Sequence, residues 1–252
     1  MIALPTPILV MTFAVLCVAA WLGATRFDKL RAEAGAFREE FGVIQSATLT
    51  LLGLIVGFTF SMALDRYEQR KDYEAAEANA ILTAYQRADL LPAADGAKVR
   101  ALLRSYLEQR VRYFSTRNPY ALDETNAATA KLQTELWAVV TGPALANPNS
   151  VTALVASGVN DVVNAQGDTH AAWSNHIPGT AWMMMGAIAI FSTLLVGIGL
   201  RHASGFSHML AVLPLVIAIA FFLIADIESP RLGIIRVMPD NLVGLTELLG
   251  AP

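Results

Sequence analysis

From residue 41 to residue 64 the chain carries no charged side chain, and the next ten residues carry seven: Asp65, Arg66, Glu68, Arg70, Lys71, Asp72 and Glu74. No proline separates the two patterns. The apolar stretch is long enough to cross a bilayer, which needs roughly 20 mostly apolar residues. The pattern therefore predicts one helix that leaves the membrane and continues into water. Three more uncharged stretches have near-membrane length, at about 7–25, 179–200 and 209–225. A charged side chain at the centre of such a helix would cost about 2.5–3.5 kcal/mol on insertion scales, so its absence from all four runs is informative. Pro214 falls inside the last run, where neighbouring helices can satisfy the backbone groups that a proline frees.

Between the second and third runs the pattern turns amphipathic and helical. The charged helix is expected to run to about Leu91, because the residue before Pro92 avoids helical geometry. A second helix is predicted over about 97–114, where Val99, Leu102, Leu103, Tyr106 and Leu107 recur at helical spacing while Arg100, Arg104, Glu108 and Arg112 lie mainly outside that stripe. A third covers about 123–140, followed by a loop containing Pro143, Asn147 and Pro148. A fourth starts near Ser150, with Asn149 or Ser150 as its N-cap. Its stripe is Val151, Leu154, Val155, Val159, Val162 and Val163, a core face or a second, cytosolic constriction. No stretch alternates with period two, and no internal repeat is evident. The predicted fold is an all-α integral membrane protein with four transmembrane helices and a helical soluble insert between the second and third. The corresponding segments are 1–64, 65–177, 178–226 and a C-terminal tail, 227–252.

Composition agrees. Of 252 residues, 55% are hydrophobic and 15% charged, against about 25% charged in soluble domains. The mean hydropathy is +0.48. The net charge of −3 comes without a basic patch, which argues against nucleic-acid binding. The one cysteine, Cys17, lies in an apolar run and excludes an intrachain disulfide. A signal peptide would need basic residues ahead of its apolar core. None precedes Arg26 apart from the amino terminus, so the first run is expected to be a retained helix. Charge does not set the orientation: Arg26, Lys29, Arg31, Arg38 and Arg201 balance Arg66, Arg70, Lys71, Arg231 and Arg236 under the positive-inside rule.

Two motifs resemble those of bestrophins. Gly57-Phe58, six residues, then Asp65-Arg66-Tyr67 is similar to the second-helix signature of that family. Asp226 and Glu228, with Pro230 and Gly233 in the tail, resemble the acidic-Pro-Phe-Gly segment that follows its last helix. The order of parts also agrees, and the chain looks most like the small bacterial members. It departs at Tyr67 and Glu68, which replace a pair of tryptophans, and at Arg231-Leu232, where a phenylalanine is usual. The acidic run of a calcium clasp is missing, so calcium gating is not implied.

The resemblance implies a multi-pass protein of the bacterial inner membrane, a homopentamer with the insert on the cytoplasmic side. The second helix would line a central pore for inorganic ions, with anions such as chloride favoured and cations possible. The family's apolar neck falls on Thr50, Leu54 and Phe58. These positions are four apart and share one helix face, and apolar rings can gate by dewetting. An apolar face is also what any buried membrane helix shows, so the residues alone leave both readings open.

Other features carry two readings as well. Gly53 and Gly57 form a GxxxG pair, either a close helix contact or a chance spacing. Asp65 and Arg66 either anchor the helix at the interface or select ions. Asp226 and Glu228 either line an ion mouth or form a solvated helix end. Trp21, Trp173 and Trp182 are expected at membrane interfaces. No catalytic motif accompanies the scattered His170, His176, His202 and His208, and a site of Asp168, His170 and His176 lacks a metal-binding signature. Neither enzyme activity nor a cofactor is expected. The rival function is a non-conducting membrane scaffold or sensor whose insert binds a cytosolic partner.

Overall fold

The computed structural model describes residues 5–27, 36–199 and 208–250. Lys29, Arg31, Arg201 and His202 lie outside them. The described residues contain helices and no strand. Eight α-helices are named here in chain order: α1 (Pro5–Arg26), α2 (Arg38–Arg87), α3 (Ala93–Ser115), α4 (Pro119–Ala146), α5 (Ser150–Ser174), α6 (Gly179–Gly199), α7 (His208–Glu228) and α8 (Asp240–Leu248). Among the described residues, four helical stretches are long and apolar enough to cross a membrane: Thr6–Arg26 in α1, Arg38–Leu90 with α2, Ser150–Gly199 with α5 and α6, and Leu210–Glu228 in α7.

Local chemistry sets most boundaries. α2 is a single 50-residue helix, about 75 Å long at 1.5 Å per residue. A 3-10 turn, Ala88–Leu90, ends it ahead of Pro92. α4 opens with Pro119 in its first turn, and the Asn118 side chain accepts from Tyr120 N at 3.0 Å. Asn149 is the N-cap of α5: its Oδ1 accepts from Val151 N and Thr152 N, while Thr152 Oγ1 accepts from Asn149 N. This reciprocal box satisfies amide groups that a helix start leaves without partners.

The expectation of a loop at Pro143 is corrected. α4 runs through Pro143 to Ala146, and Asn147 N donates to the Pro143 carbonyl at 3.0 Å. A proline there removes one backbone donor, a tolerable loss in the final turn of a helix.

The chain divides into two compact units. Unit one comprises residues 1–65 and 176–235, and unit two comprises 66–175 and 236–252. Residues 227–252, read from the sequence as one tail, are thus shared between them.

In unit one, α1 packs on α6 and α7. Leu16, Leu52, Met185, Ala189, Ile217 and Phe221 form its main apolar cluster. α1 and α6 approach each other closely at two glycines. A Cβ on Gly23 would fall 2.3 Å from the Leu194 carbonyl oxygen, and one on Gly197 would fall 2.2 Å from that of Ala20. Small residues permit such contact between membrane helices. The GxxxG pair behaves differently: no atom lies within 4 Å of a Cβ built on Gly53 or Gly57.

In unit two, α3, α4 and α5 pack in succession and α8 packs on α3. Ile81, Val99, Leu103, Tyr106, Leu136, Val162 and Leu242 are fully buried in its core. Trp173, expected at a membrane interface, is instead buried among aromatic rings, with centroids 5.4 Å from Tyr113 and 5.1 Å from Phe114. Of the α5 stripe, Val155, Val159 and Val162 are core, while Val151 and Leu154 are exposed.

Candidate functional site: the membrane stretch of α2

The packed seam of α2 in unit one is Leu52, Val56, Thr59 and Ala63. Thr59 satisfies its hydroxyl by donating to the Ile55 carbonyl at 2.8 Å. At about 100° per residue, the mean direction of Thr50, Leu54 and Phe58 lies about 190° from that of this seam. The three therefore point away from the chain's own bundle. Leu54 is 54% and Phe58 63% exposed. Thr50 is exposed as well, and its hydroxyl donates to the Ser46 carbonyl at 2.8 Å. From Thr50 to Phe58 the face extends about 12 Å along the axis. Gly57 and Asp65 are exposed, and Asp65 is the last α2 residue of unit one. Arg66 and Tyr67, half-buried, belong to unit two, where Tyr67 packs against the core.

The tail residues form a different arrangement. Asp226 is 1% exposed and Glu228 7% exposed, so the reading of a solvated helix end is corrected. Asp226 Oδ1 and Oδ2 accept from the amides of Ile234 and Ile235 at 2.7 and 2.8 Å, closing the turn after α7. Gly233 sits inside this turn with its amide on the Ser229 carbonyl. A Cβ there would fall 2.3 Å from the Asp226 carbonyl oxygen, which explains the glycine by close approach. Pro230 is buried in the same turn. Glu228 Oε2 accepts from Ile177 N at 2.7 Å and lies 3.7 Å from His176 Nδ1. The motif thus binds backbone and shapes a turn. Among the described residues, no group of three or more His, Cys, Asp or Glu could hold a metal ion.

The sequence pattern did not reveal the buried charges of unit two. Arg70, Glu74 and Glu77 sit at i, i+4 and i+7 on α2, and all are buried. Each serves a different helix. Arg70 donates to the carbonyls of Ala172 and Asn175 at 3.2 and 3.1 Å, at the C-terminal end of α5 where a cation complements the helix dipole. Glu74 accepts from Leu242 N at 2.9 Å and from Asn241 Nδ2 at 2.6 Å, at the N-terminal end of α8 where an anion is favoured. Glu77 receives two bonds from Arg110 of α3, one of them from Nη2 at 3.2 Å. Thr169 Oγ1 of α5 lies 2.9 Å from Glu77 Oε2. The Arg110 guanidinium also stands over the Tyr113 ring, 4.3 Å from its centroid. Burial by itself would lower the Arg110 pKa, but the Glu77 carboxylate outweighs it and raises it. Burial first, and then the charge of Glu77, push the Tyr106 phenol well above its ordinary range. The available signal was the 4-3-4-3-4 spacing of positions 70, 74, 77, 81, 84 and 88, which the charged side chains disguised.

Comparison with known proteins decides the family. The bestrophin-like domain model matches residues 10–242. The chain belongs to the bestrophin-like family. The structure of a bacterial bestrophin homologue from Klebsiella pneumoniae matches at a TM-score of 0.62 and 12% identity, covering 94% of this chain and 98% of that one. A single-substitution variant of that homologue matches at 0.65 and 12% identity, covering 97% and 98%. A further structure, described as a membrane protein, matches at 0.63 and 12% identity, covering 98% of each chain. At this identity the likeness shows the fold. No curated protein matches the chain. Family and four spans together make this bestrophin-like chain a multi-pass membrane protein.

Proposed function

We propose that the chain is one subunit of a passive ion channel of the bestrophin type. Five copies surround an axis in the bacterial inner membrane, and the α2 helices line the path between them. Thr50, Leu54 and Phe58 form the neck. Residues 65–177, between the second and third spans, are the water-soluble part on the cytoplasmic side. Small ions pass down their gradient, with chloride the first to test and potassium the second. Asp65 marks the end of the neck helix's membrane stretch, and Arg66 and Tyr67 anchor it at the interface.

One observation carries the reading. The two large apolar side chains at the proposed neck point away from the seam that α2 makes with its own chain, and more than half of each is exposed. In a ring of copies that face is available to an axis, and a ring of Leu and Phe side chains can gate by dewetting. The slightly positive edge of an aromatic ring favours an anion passing close to it. Family membership supports the same reading.

The scaffold reading has its own support in unit two. An open groove of about 870 Å³ is lined by Leu90, Leu91, Pro143, Val151 and their neighbours, and a cytosolic partner could occupy it.

The test is flux from liposomes. Purified protein and the Leu54→Ala/Phe58→Ala variant are reconstituted, and chloride and potassium fluxes are compared. Widening the neck is expected to raise flux several-fold or change the chloride-to-potassium ratio. Absence of flux from both proteins at every voltage and pH tried would favour the scaffold.

A further inference from the structure

Beyond its first turn, α2 carries one charged side chain in unit one, Asp65. The other described acids of that unit have a structural task. Glu39 and Glu40 lie in the first turn of α2, where an anion complements the helix dipole. Asp226 and Glu228 accept from backbone amides. Asp65 is exposed and stands far from either end of its helix. Among the described residues no hydrogen bond or ion pair engages its carboxylate.

A charge that merely solvates a helix could sit anywhere on the exposed side of α2, so its direction is what counts. Asp65 follows Phe58 by seven residues and Leu54 by eleven. At about 100° per residue it points within about 20° of the mean direction of Thr50, Leu54 and Phe58, and about 150° from the packed seam. It stands about 10 Å beyond Phe58 along the axis. Arg38 is the one basic residue of α2 in unit one, and it falls about 160° from the neck direction, on the side of the seam. The neck face of unit one thus ends in a carboxylate and carries no cation.

With α2 as the lining helix of a ring of copies, that face turns one Asp65 from every copy toward the axis. A ring of aspartates at a pore favours cations, because like charges gathered around one path raise the local concentration of counter-ions. Its field reaches the neck, since the screening length is about 10 Å at about 0.1 M salt. The slightly positive edge of Phe58 acts the other way, but it is a fraction of a charge and its field fades faster with distance than that of a full one. We infer that Asp65 sets the ion class of the pore, small monovalent cations such as potassium in preference to chloride. This rests on the channel reading and adds to Asp65 a selective role.

Reversal potentials of the purified protein in planar bilayers under a potassium chloride gradient test it. Wild type is expected to pass potassium more readily than chloride. Asp65→Asn should lower the potassium-to-chloride permeability ratio about tenfold, and Asp65→Glu, which keeps the charge, should retain the wild-type ratio. The wild-type preference should also shrink between about 0.1 M and about 1 M salt, where the screening length falls to about 3 Å, while the Asn variant shows little such change. The inference is overturned if wild type prefers chloride, if Asp65→Asn keeps the wild-type ratio, or if Asp65→Glu shifts the ratio as far as Asp65→Asn does. Loss of all current in Asp65→Asn alone would make the residue structural and overturn it too. In each of these cases wild type still conducts and the channel reading stands. Absence of current from every protein would remove the channel reading and this inference together.

Discussion

Arg110 and Glu77 meet in the interior of unit two with neither side chain exposed to solvent. The pair joins α3 to α2 by two hydrogen bonds, and Tyr113 covers the guanidinium. Removing one partner from such a pair strands a charge, at a cost of about 3–5 kcal/mol. Arg110→Met is therefore expected to destabilise unit two by about that amount, and Glu77→Gln somewhat less because it keeps an acceptor. Arg110→Met combined with Glu77→Met should cost well under the sum of those same two substitutions made singly, since both charges leave together. Chemical denaturation followed by circular dichroism checks this, and additive losses would refute the pairing.

The membrane glycines are expected to divide by environment. Gly197→Ala places a Cβ 2.2 Å from a backbone oxygen and should loosen the contact between α1 and α6 by about 1–3 kcal/mol. Gly57→Ala meets nothing within 4 Å beyond the local backbone of α2. It should leave the fold intact or stabilise it by up to about 1 kcal/mol through helix propensity. Thermal denaturation in detergent separates the two, and equal losses would contradict the close approach.

The turn after α7 should depend on one carboxylate. Asp226→Ala removes acceptors from the Ile234 and Ile235 amides, at about 1.5–3 kcal/mol for each bond to a charged group. Asp226→Asn keeps one carbonyl acceptor and is expected to cost about half as much. Limited proteolysis in the segment 229–235 reports the loosening, and unchanged cleavage in Asp226→Ala would refute a structural role.

Alkaline pH should act on Tyr106 late. Its pKa is raised in the fold by burial and then by Glu77, so the fold holds a proton that the unfolded phenol releases near about pH 10. The stabilisation it carries is whole below that pH and is lost as pH rises toward its folded value. Parent protein and Tyr106→Phe are expected to show the same tyrosinate absorbance until the fold opens. A signal missing from the variant near about pH 10 would show that Tyr106 ionises freely there.

Much of the architecture was legible because membrane length and charge are coarse, local signals. Four uncharged runs, the helix ending ahead of Pro92 and the cap at Asn149 follow from neighbouring residues alone. The boundary at Pro143 did not, because a helix can absorb a proline in its last turn when surrounding contacts hold it. Trp173 was misplaced for a similar reason: an aromatic near a span end suits an interface or a core equally well, and Tyr113 and Phe114, distant in sequence, decide.

The sequence by itself determined that this is a helical membrane protein of bestrophin type, and it singled out Thr50, Leu54 and Phe58 on one face of α2. It could not say which face of that helix meets its own chain, since apolar side chains suit lipid, core and pore alike. Tertiary structure decided that, turning Leu52, Val56, Thr59 and Ala63 inward. It also decided the fate of Arg70, Glu74, Glu77, Asp226 and Glu228. A charged residue reads as solvated until a helix end, a backbone amide or an opposite charge is brought to it, and those partners come from elements up to 168 residues away.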